Sequence, residues 1–278
     1  MQFHDAALAV ANQDNNIPAG FRPVADLNLV IVVGLTGVGK STVIDLLADM
    51  VDFTLLPNRR EITDHIIIAT LQQADGQTPY TVSDRVKRFE YTARYRALHR
   101  GGMAYALGQL LLNPSMVEPL LVFDGLRGLD EVQYAAEIYT KARFLVLDAP
   151  DSVRLGRLLK REDRFDTTQL VTPLSGSNLI AALLAIPDIE AIFSEEELQQ
   201  ISRTARAARR TIDEVVKKTA IIVEERRNYD SRAARVHLTH HLPEDQHLVV
   251  DTENQTPQVI AKTVKAWLAQ VKPSSQRG

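Results

Sequence analysis

Residues 29–42 read Leu-Val-Ile-Val-Val-Gly-Leu-Thr-Gly-Val-Gly-Lys-Ser-Thr, and this stretch is the most informative part of the sequence. Its first five residues are apolar and mostly β-branched, which is typical of a buried parallel strand. They lead into Gly-x-x-x-x-Gly-Lys-Ser, a phosphate-binding loop whose glycines let successive backbone N–H groups point at an anion. An amphipathic helix follows, and its positive end faces the same phosphates. The stretch therefore predicts a nucleoside triphosphate site.

Within this loop, two side chains have a chemical role of their own. Lys40 is expected to supply positive charge to the β- and γ-phosphates, and the Ser41 hydroxyl is expected to ligate Mg²⁺. We predict ATP and Mg²⁺ as the bound groups. The predicted nucleotide-binding residues are Gly34, Thr36, Gly37, Val38, Gly39, Lys40, Ser41 and Thr42.

The composition narrows the class of protein. The chain has 278 residues, of which 45% are hydrophobic and 24% charged, so we expect one domain carrying a large insertion. A net charge of −3 provides no general attraction to nucleic acid. The absence of cysteine excludes a disulfide framework, a thiolate nucleophile and a cysteine zinc site. No run reaches the roughly 20 apolar residues of a membrane span, and residues 1–27 do not resemble a signal peptide. We expect a soluble, cytoplasmic protein without a membrane partner.

Apolar segments alternate with helical patterns along most of the chain. After the first strand, the predicted strands are 53–56, 119–124, 143–148 and 247–251. This alternation predicts an α/β fold, with a three-layer parallel sheet as a P-loop NTPase core and a large helical insertion. The predicted divisions are an N-terminal extension at 1–26, a kinase-like core at 27–165 and 237–272, and a helical lid or insertion at 166–236.

The insertion contains an apolar stripe with alternating spacings of three and four. A capping box at 194–197 opens it, and two interpretations follow. One is a single helix of eight turns that pairs between subunits, giving a homodimer through residues 194–228. The other is a hairpin that packs on a shorter helix at 178–185. The stripe consists of Leu198, Ile201, Ala205, Ala208, Ile212, Val215, Thr219 and Ile222.

A second nucleotide motif is expected where the apolar run 120–123 ends in Asp124. Asp124 would hold Mg²⁺ through a water molecule, opposite Ser41. The next residue is Gly125, whereas motor-type ATPases usually place a water-activating Glu at that position. The chain also lacks an Asn-Lys-x-Asp motif for reading guanine. Phosphoryl transfer to a bound acceptor is therefore favoured over hydrolysis.

Together these segments resemble the nucleoside-monophosphate-kinase-like P-loop kinases, with dephospho-coenzyme A kinase and the adenylate-kinase-like proteins closest in pattern. The resemblance covers residues 27–165 and 245–270. It implies a phosphotransferase core, an acceptor-binding segment after the second strand, and an arginine-bearing lid after the fourth. It is carried by Gly34–Thr42, by Asp124–Glu131, by Phe144–Pro150 with Arg154, Arg157 and Arg161, and by Val249–Ala261.

Arginine forks hold phosphoryl oxygens in pairs, so arginines near the expected sheet edge are candidates for the site. The predicted catalytic residues are Lys40, Asp124, Arg157 and Arg161, with Ser41 and Asp124 as the metal ligands. The predicted substrate-binding residues are Arg59, Arg60, Arg85, Arg88 and Arg127. Glu61 and Asp64 are carboxylates that could accept a hydroxyl proton.

A cationic helix is predicted at 84–100, with Ser83 as its cap and a buried face made by Val86, Phe89, Ala93 and Ala97. Its arginines indicate an anionic acceptor, such as a nucleotide-like compound or a phosphorylated metabolite. Two other functions stay open: end-phosphorylation of a nucleic acid, and a nucleotide-gated ATPase or interaction module. Nucleic acid is disfavoured as a partner by the overall acidity and by an aromatic content of 6%.

Overall fold

The computed structural model describes residues 5–11, 17–160 and 176–270, with only the backbone described for 85, 86 and 176–178. Its strands are β1 Leu8–Val10, β2 Arg22–Pro23, β3 Asn28–Val33, β4 Thr54–Leu55, β5 Leu110–Leu112, β6 Leu120–Leu126, β7 Arg143–Asp148 and β8 His247–Asp251.

The first helices lie between the strands of the core. They are α1 Lys40–Ala48, α2 Arg59–Ile62, α3 Ala69–Ala74, α4 Arg85–Leu98, α5 Met103–Leu107 and α6 Leu129–Ile138, with a π-helical turn at Thr63–Ile68 joining α2 to α3. The later helices are α7 Asp151–Lys160, α8 Gly176–Leu184, α9 Glu195–Ala207, α10 Ile212–Asn228, α11 Ser231–His241 and α12 Pro257–Ala269. In the described part of the chain, no helix has the length and apolar character needed to cross a bilayer.

The main sheet has five strands in the order β4-β6-β3-β7-β8, and all its pairs are parallel. Alternate residues of β3 enter two separate cores. Leu29, Ile31 and Val33 pack on one face of the sheet, and Val30 and Val32 on the other. Burial on both faces explains why β3 is a continuous apolar run. The predicted α/β class with a parallel sheet is confirmed.

A smaller antiparallel sheet involves the N-terminal extension. Its order is β1-β5-β2, so the extension supplies the partners on both sides of β5. The helix α5 ends at Leu107, and residues 110–112 form β5 instead of continuing that helix. The three leucines of β5 are all buried, and a fully apolar triplet satisfies a buried strand as well as a helix.

The insertion is a hairpin of helices. The single eight-turn helix is wrong, because α9 ends at Ala207 and the chain turns through Arg209, whose φ is +52°. Thr211 and Glu214 then form a capping box that starts α10. The hairpin interpretation agrees with the structure.

The apolar stripe is buried within the chain. Leu198, Ile201, Val215 and Ile222 pack in one cluster with residues of α7 and α8. The apolar stripe is therefore not available as the surface of the predicted homodimer through residues 194–228.

The end of the insertion differs from the predicted boundary at 236. Residue 236 lies inside α11, whose Ala234 and Leu238 belong to the main core beside α6. We therefore define the helical subdomain as α8 to α10 and assign α11 to the core. In the sequence, α11 has the same amphipathic pattern as the insertion helices before it. That pattern does not indicate whether its apolar face packs on the main core or on the insertion.

The buried face of α4 is also different from the prediction. Asp84, not Ser83, caps the helix by accepting a hydrogen bond from the Lys87 backbone N–H. The side chain of Val86 lies outside the described residues. Among the described side chains of α4, Tyr95 is buried, whereas Phe89 is 49% exposed and Ala93 and Ala97 are exposed as well. The helix is therefore rotated, and it turns Phe89 and several arginines towards a cavity described below.

Candidate active site

The phosphate loop joins the end of β3 to the start of α1. Gly37 and Gly39 have φ angles of +87° and +99°, a region that favours glycine. A Cβ atom on Gly37 would lie 2.8 Å from the carbonyl oxygen of Arg154. The Thr252 hydroxyl, just beyond β8, donates to the Val38 carbonyl at 2.8 Å and supports the loop from behind. Gly39 is thus required by its backbone conformation, and Gly37 by both its conformation and this close contact.

Lys40 and Asp124 lie together at this edge of the sheet. Lys40 Nζ is 3.7 Å from Asp124 Oδ1 and donates to the carbonyl oxygens of Gly34 at 2.9 Å and Leu35 at 3.1 Å. Burial lowers the pKa of Lys40, and the Asp124 carboxylate opposes that shift. The two residues predicted from separate motifs are neighbours, because β3 and β6 are adjacent parallel strands.

The residues present fit a magnesium ion. Asp124 Oδ1 is buried and lacks a hydrogen-bond partner among the described residues. A carboxylate oxygen in this state suits a metal-bound water, because Mg²⁺ keeps several waters and takes few protein ligands. Ser41, in the first turn of α1, would provide the hydroxyl. Within the described ranges, no group of three or more His, Cys, Asp or Glu forms a dedicated metal site.

Arg157 lies against the phosphate loop. Its guanidinium donates to the Gly37 carbonyl at 3.2 Å and to the Thr252 hydroxyl at 2.9 Å. Burial lowers the pKa of Arg157, but an arginine stays charged at neutral pH. The other predicted catalytic arginine, Arg161, lies outside the described residues. The supporting Thr252 was not predicted, although it follows a recognised strand.

Glu225 of α10 reaches into the phosphate loop and was missed by sequence reasoning. Its carboxylate accepts hydrogen bonds from the Thr36 backbone N–H at 3.0 Å and from the Thr36 hydroxyl at 2.6 Å. Arg127 donates to the same carboxylate at 2.6 Å, and Arg154 also binds it. Its only signal in the sequence is the charged run 224–227 near the end of a helix, which is equally typical of a solvated helix end.

Arg154 is the centre of a buried ionic network. Its Nε donates to the Thr36 carbonyl at 2.8 Å, and its guanidinium pairs with Asp151 and Glu225. Asp151 also pairs with Arg226 of α10 at 2.8 Å. Burial lowers the pKa of Arg154, while Glu225 and Asp151 oppose this shift. The network joins the phosphate loop, α7 and the helical subdomain.

A cavity of about 520 Å³ opens beside the phosphate loop. Thr36 and Glu225 form its wall on the loop side. Apolar side chains from several helices line another part, including Ile67, Phe89 and Met103. Its arginines are Arg59, Arg60, Arg88, Arg96 and Arg127. Four of these five are predicted substrate-binding residues, whereas Arg96 is new.

Arg59 is engaged within the protein. It forms a bidentate pair with Glu131 at 2.7 and 3.0 Å, and it donates to the Gly125 carbonyl at 2.6 Å and the Tyr229 hydroxyl at 3.0 Å. Burial alone would lower the pKa of Arg59, but Glu131 and Tyr229 outweigh it and raise the pKa. Gly125 sits at a bulge where the register of β3 and β6 shifts, which leaves its carbonyl free to accept.

The remaining arginines differ in their availability. Arg88 pairs with Asp64, whereas Arg60 and Arg96 are exposed side chains that line the cavity. The side chain of Arg85 is outside the described part of the structure. Glu61 is used in the capping box of α2, by accepting from the Asn58 backbone N–H at 2.8 Å. Arg60 and Arg96 are therefore the cations best placed to meet a ligand.

The fold and the site define a P-loop nucleotide-binding protein. A family model described as "AAA domain" matches residues 30–170, just over half of the chain, and the chain belongs to this family. The family match agrees with the P-loop superfamily implied by the sequence resemblance. A search of curated proteins finds no match.

Similar solved structures include three kinases. A sugar kinase from Janibacter sp. HTCC2649 is 16% identical with a TM-score of 0.39, and the match covers 87% of this chain and 95% of that one. Shikimate kinase from Acinetobacter baumannii is 14% identical with a TM-score of 0.36, covering 88% and 94%. Shikimate kinase from Aquifex aeolicus VF5 is 18% identical with a TM-score of 0.36, covering 87% and 96%.

Proposed function

We propose that this protein is an ATP-dependent kinase that transfers the γ-phosphoryl group to an anionic small-molecule acceptor with the help of Mg²⁺. The observation that carries this proposal is the arginine-lined cavity, which meets the phosphate loop at Thr36. A cavity of this volume is typical of a small-molecule site. Its position at the carboxyl edge of the parallel strands is where ligands of α/β sheets bind.

The transfer assigns distinct roles to the residues around the loop. An acceptor hydroxyl oxygen forms the new bond to the γ-phosphorus and releases its proton to water, while the bond from the γ-phosphorus to the β–γ bridging oxygen breaks and leaves ADP. Lys40 and Arg127 would stabilise the charge on the phosphoryl oxygens. Ser41 and Asp124 would hold Mg²⁺, which neutralises the phosphates when bound. Arg60 and Arg96 would hold the anionic group of the acceptor.

The direct test uses radiolabelled ATP, Mg²⁺ and a pooled metabolite extract, followed by identification of the labelled product by mass. We expect label in a phosphorylated small molecule that carries a second anionic group. Label appearing only in inorganic phosphate would indicate an ATPase. Label at the ends of nucleic acids would indicate a nucleic-acid end kinase.

The acceptor contacts have a specific expected consequence. Arg60→Ala and Arg96→Ala should each raise the KM for the acceptor by about tenfold, because each removes one charge-assisted hydrogen bond. The kcat should change little, since this binding is the same before and during transfer. Steady-state kinetics with varied acceptor measures both. Arg94→Ala on the same helix is the matched control, because Arg94 pairs with Asp75 away from this cavity. An equal rise in KM in the control would reject the assignment.

Asp124 should act through the metal. Asp124→Asn is expected to move the Mg²⁺ midpoint for activity to about tenfold higher concentration, because the substitution removes the negative charge that holds the metal-bound water. The affinity for ATP without metal should stay the same or increase, since a negative charge beside the phosphates is lost. A magnesium titration of activity and a nucleotide titration in EDTA separate the two effects. An unchanged Mg²⁺ midpoint would contradict the role of Asp124.

A further inference from the structure

A carboxylate of the protein itself is hydrogen-bonded to the phosphate loop. Glu225 accepts hydrogen bonds from both the backbone N–H and the hydroxyl of Thr36, at 3.0 and 2.6 Å. Thr36 lies inside the Gly34–Ser41 loop, whose backbone N–H groups are arranged for anionic oxygens. Glu225 therefore supplies an anion at a position suited to a phosphate oxygen.

The positively charged side chains around the loop are also bonded to oxygen atoms of the protein. Arg127 and Arg154 both bind the Glu225 carboxylate. Lys40 donates to the carbonyl oxygens of Gly34 and Leu35, within its own loop. In this arrangement, groups that would stabilise phosphate charge are engaged by oxygens of the protein.

The position of Glu225 also concerns the acceptor. Thr36, Arg127 and Glu225 all line the cavity, on the side where it meets the loop. A phosphoryl group that moves from the loop to a bound acceptor must cross this wall. Glu225 thus stands between the two predicted substrates.

We propose that Glu225 is an internal phosphate surrogate, which holds the phosphate loop in a resting state until a nucleoside triphosphate displaces it. Displacement frees Arg127 for the phosphoryl group, while Arg154 keeps Asp151 as its partner. This inference rests on the proposed nucleotide binding and adds a gate operated by the helical subdomain. The apparent Kd for the nucleotide is then the intrinsic Kd divided by the fraction of molecules in which Glu225 is displaced from the loop.

Two substitutions of Glu225 separate displacement from a simple charge effect. Glu225→Gln removes the charge and weakens every bond to the carboxylate, so the Kd for Mg·ATP should fall about tenfold. Glu225→Asp keeps the charge but withdraws the carboxylate by one methylene, so its Kd should fall about threefold through loss of the Thr36 contacts. Calorimetry on the full chain measures both values.

Glu224→Gln is the matched control for the neighbouring charge. Glu224 lies on the same helix and contacts Asn228 at 2.7 Å and Arg227 at 3.6 Å. Its Kd for Mg·ATP should stay within about twofold of wild type, because the same charge is removed without freeing the loop.

The outcomes distinguish this inference from the proposed function. If wild type does not bind Mg·ATP, the proposed nucleotide site itself fails. If wild type binds but neither Glu225 variant binds more tightly, the surrogate role is overturned and the kinase proposal stands. Tighter binding by Glu225→Gln alone would show a charge effect and also overturn the inference. If Glu225→Gln does not fold, the result for Glu225→Asp decides.

Discussion

Replacement of Lys40 by alanine is expected to lower kcat for phosphoryl transfer by about 10²–10³, because preorganised positive charge at the phosphoryl oxygens contributes this much to transition-state stabilisation. The fold should be retained. Within the described part of the chain, Lys40 Nζ donates to carbonyl oxygens of its own loop and pairs with Asp124 at 3.7 Å, and Lys40 is not a member of the buried apolar clusters.

Single-turnover kinetics and thermal unfolding on the same preparation test this expectation. Lys262→Ala provides the control, since Lys262 is an exposed lysine on α12, and its kcat should match wild type. A Lys40→Ala variant that melts like wild type and keeps full activity would remove the basis of the kinase proposal. A variant that is inactive only because it is unfolded would contradict the expected retention of the fold.

Replacement of Arg154 by methionine is expected to lower the free energy of unfolding by about 3 kcal/mol. Loss of one partner from a buried ion pair costs about 3–5 kcal/mol, because a charge is left without compensation. We expect the lower end, since Glu225 keeps Arg127 and Asp151 keeps Arg226. For a chain of this size, the Tm should fall by roughly 6 °C.

Urea unfolding of the full chain measures this loss. Arg203→Met is the control, because Arg203 is an exposed arginine on α9 whose hydrogen bond among the described residues is to Gln200 in the same helix. Surface substitutions of this kind stay within about 0.5 kcal/mol of wild type. Equal stability of Arg154→Met and wild type would mean that the buried network contributes nothing net to folding.

The phosphate loop and the buried strands could be predicted because their signals come from residues that are close together in the sequence. The phosphate loop is recognisable because its glycines, lysine and serine act together within eight positions. The strands at 143–148 and 247–251 have the predicted bounds, because a buried parallel strand requires an unbroken apolar run. The pairing of Lys40 with Asp124 also follows, since both residues lie at the carboxyl edge of adjacent parallel strands.

Some apolar patterns are compatible with two different structures, and for these the sequence does not select one. The spacing of apolar residues from 198 to 222 suits one long helix or two shorter ones, and the turn at Arg209 has no glycine or proline to mark it. Likewise, α4 carries apolar residues on more than one side. The orientation of α4 places Tyr95 in the core and Phe89 in the cavity, which depends on what packs against the helix.

The phosphate loop and the strands of the parallel sheet that presents it follow from the sequence alone, because their signals are local in the chain. Folding brings Glu225 to Thr36, 189 positions away. It also pairs Arg59 with Glu131, whereas Arg60 and Arg96 line the cavity. A charged side chain has the same appearance in a sequence whether it is solvated, paired or in a site. Its role depends on which opposite charges the fold brings within hydrogen-bonding distance.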